Sequence, residues 1–225
     1  MKSKLFITMA LFAITFAANA QTEKGKSLIN GSFGFSTNKS ENTSSNVSVI
    51  DQKSNSFTFA PSYGYFVANN LAIGLGVGYS QNKNTSNSFD ANSSNIMYYK
   101  QITKQQIFSV SPFLRKYVDI ADKFKFFGQI NLGIGFGKAE NTVTYNTPST
   151  TLENTYKFTS YSGAISPGFA FFPSKRWAID FSFPLLSYSK INPKDGSSSV
   201  STSTTETFNF ATSSFNPSIG FNFHF

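Results

Sequence analysis

A chain of 225 residues, 40% hydrophobic and 17% aromatic, has the length of one barrel or sandwich domain. It has no cysteine and a single histidine, which excludes a disulfide-stapled fold and any zinc site built mainly from those residues. Its formal charge of +8 suggests anionic partners, but no compact basic patch is interleaved with aromatics, so nucleic acid is not expected among them.

The amino terminus reads as a targeting segment. Lys2 and Lys4 precede an apolar run from Leu5 to Phe16 that is too short to span a bilayer as a helix. Ala18-Asn19-Ala20 is a small-x-small cleavage site, so residues 1–20 are expected to be a signal peptide and residues 21–225 the domain. Of the 19 basic residues two leave with the leader, so 17 stand against 11 acids and the charge falls to +6.

Two textures then alternate along the chain. One is aromatic, aliphatic and glycine-rich with period two, the mark of a strand with one oily face. The other is rich in Asn, Ser, Thr and Lys. Strand one is expected from about Leu28 to Ser36, with Ile29, Gly31, Phe33 and Phe35 on one face. Strand two, near Ser56 to Phe66, places Phe57, Phe59, Pro61, Tyr63 and Tyr65 together. Strand three, Leu71 to Ser80, alternates most regularly: Leu71, Ile73, Leu75, Val77 and Tyr79 oppose Ala72, Gly74, Gly76, Gly78 and Ser80. Strand four, near Gln105 to Val118, sets Phe108, Val110, Pro112 and Leu114 against Ser109, Ser111, Phe113 and Arg115.

Strand five, near Lys125 to Lys138, sets Ile130, Leu132, Ile134 and Phe136 against Gln129, Asn131 and three glycines. Strand six runs near Phe158 to Phe172, and strand seven near Arg176 to Tyr188, with Trp177, Ile179, Phe181 and Phe183 on its oily side. Strand eight, near Thr207 to Phe225, slips in its alternation between Phe210 and Phe215, which reads as a bulge. It ends with Phe221, Phe223 and Phe225 on one face and Asn222 and His224 on the other.

Many of these segments are close to the 9–11 residues a tilted strand needs to cross a bilayer. The face opposite the aromatics is mostly Gly, Ser, Ala and Asn, too small to cover so many rings from water. A soluble sandwich or lipocalin-like barrel would need that cover; a bilayer supplies it. The expected fold is therefore an all-β, eight-stranded, antiparallel, up-and-down transmembrane barrel behind a cleavable signal peptide. Segments after strands one, three, five and seven (37–55, 81–104, 139–157 and 189–206) are long and polar, and those after strands two, four and six are short. That asymmetry places long loops outside the cell and both chain ends in the periplasm. Tyr63, Tyr65, Phe66 and Trp177 fall near the periplasmic edge, and Tyr79, Tyr161 and Tyr188 near the outer edge, where amphipathic rings suit the head-group zone.

The leader, the terminal Phe-Asn-Phe-His-Phe, Ser109-Val-Ser-Pro-Phe-Leu-Arg115 and Tyr65-Phe-Val-Ala-Asn-Asn-Leu-Ala-Ile-Gly74 together resemble the small outer-membrane β-barrel family, the eight-stranded OmpA/OmpX type. The resemblance covers residues 21–225 and speaks to fold and location. It does not decide an activity, because that family includes structural proteins, adhesins and lipid-modifying enzymes. It implies residence in the bacterial outer membrane, contact with outer-membrane lipids and lipopolysaccharide, and insertion by the barrel-assembly machinery, for which Phe221, Phe223 and Phe225 would be the signal.

Candidate chemistry is sparse. His224 would need a carboxylate and a nucleophile to act as a base, and its place at the periplasmic rim of the lumen favours a plain polar role. Asp180 is the acid placed within a predicted strand, and Arg115 is the matching inward base. Their distances from the adjoining turns predict equal depth, hence a lumen ion pair with Gln129 and Asn131 as hydrogen-bonding neighbours. Gly74-x-Gly76-x-Gly78 and Gly133-x-Gly135-x-Gly137 are strand-interior and lack the lysine-serine ending of a phosphate loop. They make the lumen spacious, which keeps a narrow water or ion path in play. The lysines of the outer segments, among them Lys39, Lys53, Lys83, Lys100, Lys138, Lys157, Lys190 and Lys194, share them with acids and read as a mixed, solvated surface. No catalytic residue, metal or cofactor is expected. The expected function is a non-enzymatic barrel with a structural or surface-interaction role. A narrow solute or ion pore is the alternative, and a lipid-modifying enzyme comes third.

Overall fold

The computed structural model describes residues 21–44, 48–90, 97–146, 149–194, 204–210 and 218–225. The expected signal peptide, residues 1–20, and the bulge expected between Phe210 and Phe215 lie outside these residues. The described chain is antiparallel β-structure: β1 (Ser27–Ser44), β2 (Ser48–Ala68), β3 (Leu71–Asp90), β4 (Met97–Ala121), β5 (Phe124–Asn146), β6 (Ser149–Phe171), β7 (Trp177–Ser182), β8 (Leu186–Lys194), β9 (Thr205–Phe210) and β10 (Ser218–His224).

Consecutive strands pair from β1 through β7, β7 pairs β10, and β10 returns to β1, so the sheet closes into a ring of eight walls. The first and last strands form the seam. Leu28 lies opposite His224 and Gly31 opposite Phe221, and Ser27 and Phe225 exchange both backbone hydrogen bonds, at 2.8 and 3.0 Å. Closure satisfies backbone groups that an open edge would leave bare in hydrocarbon. The seventh wall, expected as one strand, is two. Ser182 pairs Gly168 while Leu186 pairs Ile165, so one extra residue is inserted on the β7–β8 side. Pro184 and Pro167 fall at this break and cannot donate to the ladder.

The alternation predicted from sequence sets the two faces. Phe33, Leu132 and Phe221 keep 73%, 62% and 61% of their surface exposed, and they belong to a band of Ile, Leu, Val, Phe and Tyr that covers the outside. Water would penalise that band by about 25 cal/mol for each Å² of apolar area, so hydrocarbon is its proper solvent. Phe66 is an exception to the expected edge aromatics. It faces inward and is fully buried, because it shares the parity of Gly64 and Ser62, not that of Tyr63 and Tyr65.

The largest departure concerns the polar segments. Much of what reads as loop is paired strand: Thr37 pairs Asn55 through to Ser44 with Ser48, and Ala139 pairs Tyr156 through to Asn146 with Ser149. Thr37–Ser44 has no apolar face and Ala139–Asn146 only a sparse one (Ala139, Val143, Tyr145), so the period-two signal is weak there, yet their Thr and Val content suits strands, and the barrel's register continues into them. At about 3.3 Å per residue, the 23-residue β5 is far longer than a bilayer crossing requires. At the opposite end the turns are tight. Asn69-Asn70 joins β2 to β3, and Asn70 takes φ 65°, a left-handed conformation that asparagine tolerates.

Candidate functional site

The lumen divides into a packed half and a polar half. In the half near the tight turns, Leu28, Phe66, Ala72, Tyr117, Phe127, Ala170, Phe172 and Ala178 form one buried cluster, with Phe113 against it. Inward glycines clear space for Phe113 and Phe127 here, and for Phe158 farther along the lumen. A Cβ on Gly74 would strike the Phe113 ring, one on Gly168 the Phe127 ring, and one on Gly137 the Phe158 ring. Aromatic rings of neighbouring strands thus take up the room beside Gly74, Gly137 and Gly168, while serines of the neighbouring strands stand against Gly78, Gly133 and Gly135.

Arg115 lies within this packing. Its Nη1 donates to Asp180 Oδ2 at 2.6 Å and to the Tyr117 hydroxyl at 3.0 Å, and its Nε donates to Gln129 Oε1 at 2.5 Å. Gln129 Nε2 donates in turn to Asn131 Oδ1 at 2.6 Å. The guanidinium stands 4.4 Å from the Phe127 ring centroid. A desolvated cation held by a carboxylate, a phenol, an amide and a π-face has its charge and donors well used. The structure therefore brings Arg115, Asp180, Gln129 and Asn131 into one chain of contacts. Tyr117 and Phe127 complete it and escaped the sequence reading. The available signal was parity: each is two residues from Arg115 or Gln129, on the same face.

Below this layer the first described residues cap the barrel. Gln21 and Thr22 are buried. Gln21 Nε2 donates to the Ser174 carbonyl at 2.6 Å, and His224 Nδ1 donates to the Gln21 carbonyl at 3.0 Å. Thr22 Oγ1 donates to Asn70 Oδ1. Lys125 Nζ donates to Thr22 Oγ1 at 3.1 Å, to Asn70 Oδ1 at 3.3 Å, and to Asp119. His224 is also packed against Phe66 and Phe172. Among the described residues it contacts no carboxylate, so the geometry gives it a plugging role.

The other half of the lumen opens into a cavity of about 480 Å³ walled mainly by neutral side chains, among them Asn38, Gln52, Asn84, Gln101 and Thr103. Among the described residues no three His, Cys, Asp or Glu side chains come together. The remaining expected positions lie outside the barrel. Tyr63, Tyr65 and Trp177 are exposed on the outer face near the tight turns, and Tyr79 lies toward the far end. Phe221 and Phe225 are exposed on the closing strand, where Phe223 stacks on Phe225 and meets Trp177 edge to face.

The chain matches the family of outer membrane protein beta-barrel domains over residues 6–223. No curated protein matches it in sequence. Among solved structures, Ail, the attachment invasion locus protein of Yersinia pestis, is similar at 16% identity and TM-score 0.36, over 90% of this chain and 99% of that one. Neisserial surface protein A is similar at 14% identity and TM-score 0.35, over 88% and 95%. OprG from Pseudomonas aeruginosa is similar at 11% identity and TM-score 0.38, over 92% and 98%.

Proposed function

Because this chain belongs to the family of outer membrane protein beta-barrel domains, and so to the bacterial outer membrane, we propose that it is a closed, non-enzymatic barrel that supports the envelope and presents its long hairpins as a contact surface. In this reading the tight turns and both described ends face the periplasm, and the extended β-hairpins stand outside the cell.

One observation carries the proposal: the half of the lumen near the tight turns is filled. Tyr117, Phe66, Phe127, Phe172, Leu28, Asn222 and His224 are fully buried there, and the Arg115–Asp180 pair spans the space between them. An eight-stranded barrel is just wide enough for side chains to fill, and these do. The packing argues against the pore alternative.

Single-channel recording in planar bilayers tests this. The purified barrel should insert without producing a steady conductance. A stable open channel from the intact protein overturns the reading and favours the pore.

A further inference from the structure

Strand pairing gathers lysines that sequence scatters. On the outward face Lys138 of β5 lies directly opposite Lys157 of β6, and Lys157 directly opposite Lys194 of β8. Directly opposite side chains on neighbouring strands have Cβ atoms about 5 Å apart, and like charges so placed repel. Among the described residues only Lys138 of the three has a carboxylate partner, Glu140 at 2.6 Å. Lys157 and Lys194 are exposed, and Lys194 Nζ leans over the Phe136 ring at 6.0 Å. Such a row costs the isolated barrel stability, which points to an anion that would relieve it.

The position of the row selects the anion. Phe136 sits two residues before Lys138 on the same face, and Tyr79 and Phe108 share its level on the neighbouring strands. These rings form the outer rim of the apolar band, where aromatic belts meet head groups. The three ammonium groups stand one outward position beyond it, within reach of charged groups at the membrane surface. A cleft against this wall, about 350 Å³, is bounded by Phe108 and Phe136 on its apolar side and by all three lysines on its polar side.

We propose that Lys138, Lys157 and Lys194 form a binding site for the phosphate of an outer-leaflet glycolipid, whose acyl chains lie along Phe108 and Phe136. The site rests on the orientation given under the proposed function. Its occupant is a membrane lipid, because the lysines and the rings are continuous on one face and a free anion would use only the lysines.

The test uses the full mature barrel in mild detergent, titrated with bisphosphorylated lipid A and with lipid A lacking phosphate, bound lipid being read by native mass spectrometry. The bisphosphorylated form should bind tighter. Each lysine replaced in K138Q/K157Q/K194Q should weaken it by about fivefold, the effect of one surface cation at an anionic membrane. Heat-shifted gel mobility confirms that the variant is folded. The control K39Q/K53Q/K100Q removes the same charge farther from the aromatic rim and should leave the preference intact. Equal affinity for the two lipids, equal loss in the control, or displacement of the lipid by inorganic phosphate overturns the site. Orientation is read separately. The chain has no cysteine, so Thr155→Cys on the exposed wall of β6 takes a membrane-impermeant maleimide on whole cells only if the hairpins are outside. Failure to label sinks the orientation. Labelling without a phosphate preference sinks the lysine site alone.

Discussion

Arg115 on β4 and Asp180 on β7 stand three walls apart around the ring and meet inside it, with Nη1 2.6 Å from Oδ2. Both side chains are almost wholly removed from solvent. Removing one partner leaves the other charged and buried. Arg115→Ala should therefore destabilise the barrel by about 3–5 kcal/mol, read as a lower urea midpoint in detergent or lipid. Replacing the pair together by Met and Leu should recover most of that loss. An unchanged midpoint for the single variant, with altered conductance, would replace the structural reading with a gating one.

Gly137 and Phe158 face each other on paired strands, and a Cβ at Gly137 meets the Phe158 ring on every near side. Overpacking of this kind costs about 1–3 kcal/mol. Gly137→Ala should lose that much, and Gly137→Ala with Phe158→Leu should lose clearly less than the two single losses combined. Strict additivity in this double-mutant cycle would mean the ring and the glycine do not share the space.

The cap at the tight-turn end predicts a separable effect. Thr22 links Asn70 and Lys125, and Gln21 links Ser174 and His224. Thr22→Ala should cost about 1 kcal/mol, the scale of one hydrogen bond. Deleting residues 21 and 22 should expose His224 to a water-soluble imidazole-modifying reagent that leaves the intact barrel untouched. Equal modification of both forms would show that the segment does not cover the histidine.

Phe221, Phe223 and Phe225 are proposed as the assembly signal, while their backbone closes the ring against β1. Phe225→Ala keeps the backbone pairing with Ser27. It should sharply lower the amount of barrel inserted in cells and leave refolding in detergent within about twofold, a difference of about 0.4 kcal/mol. Parallel loss in both settings would make the ring a packing element and not a recognition signal.

Legibility in the sequence followed the physics of each region. Where one face met lipid and the other the lumen, period two exposed both the strands and their parity. Leu71 to Ser80 and Phe221 to Phe225 are the plainest cases. Parity and distance from the turns were enough to pair Arg115 with Asp180. The same reasoning, carried two residues further, reaches Tyr117 and Phe127. It failed for Phe66, where a run of adjacent aromatics hid the change of face. It failed also for the projecting hairpins, since Thr37 to Ser44 presents no apolar stripe and Ala139 to Asn146 only the sparse one of Ala139, Val143 and Tyr145.

The sequence by itself determined the solvent of each face, because burial preference is a property of single side chains and alternation repeats it. Which distant residues meet was decided only by the tertiary structure. Lys138, Lys157 and Lys194 are a mixed polar scatter until interstrand register aligns them. Gly74 and Gly137 read as empty space until the rings of Phe113 and Phe158 are seen to fill it. Register is set by the closure of the whole ring, in which a shift of one residue would turn a strand inside out, and no local stretch of chain carries that condition.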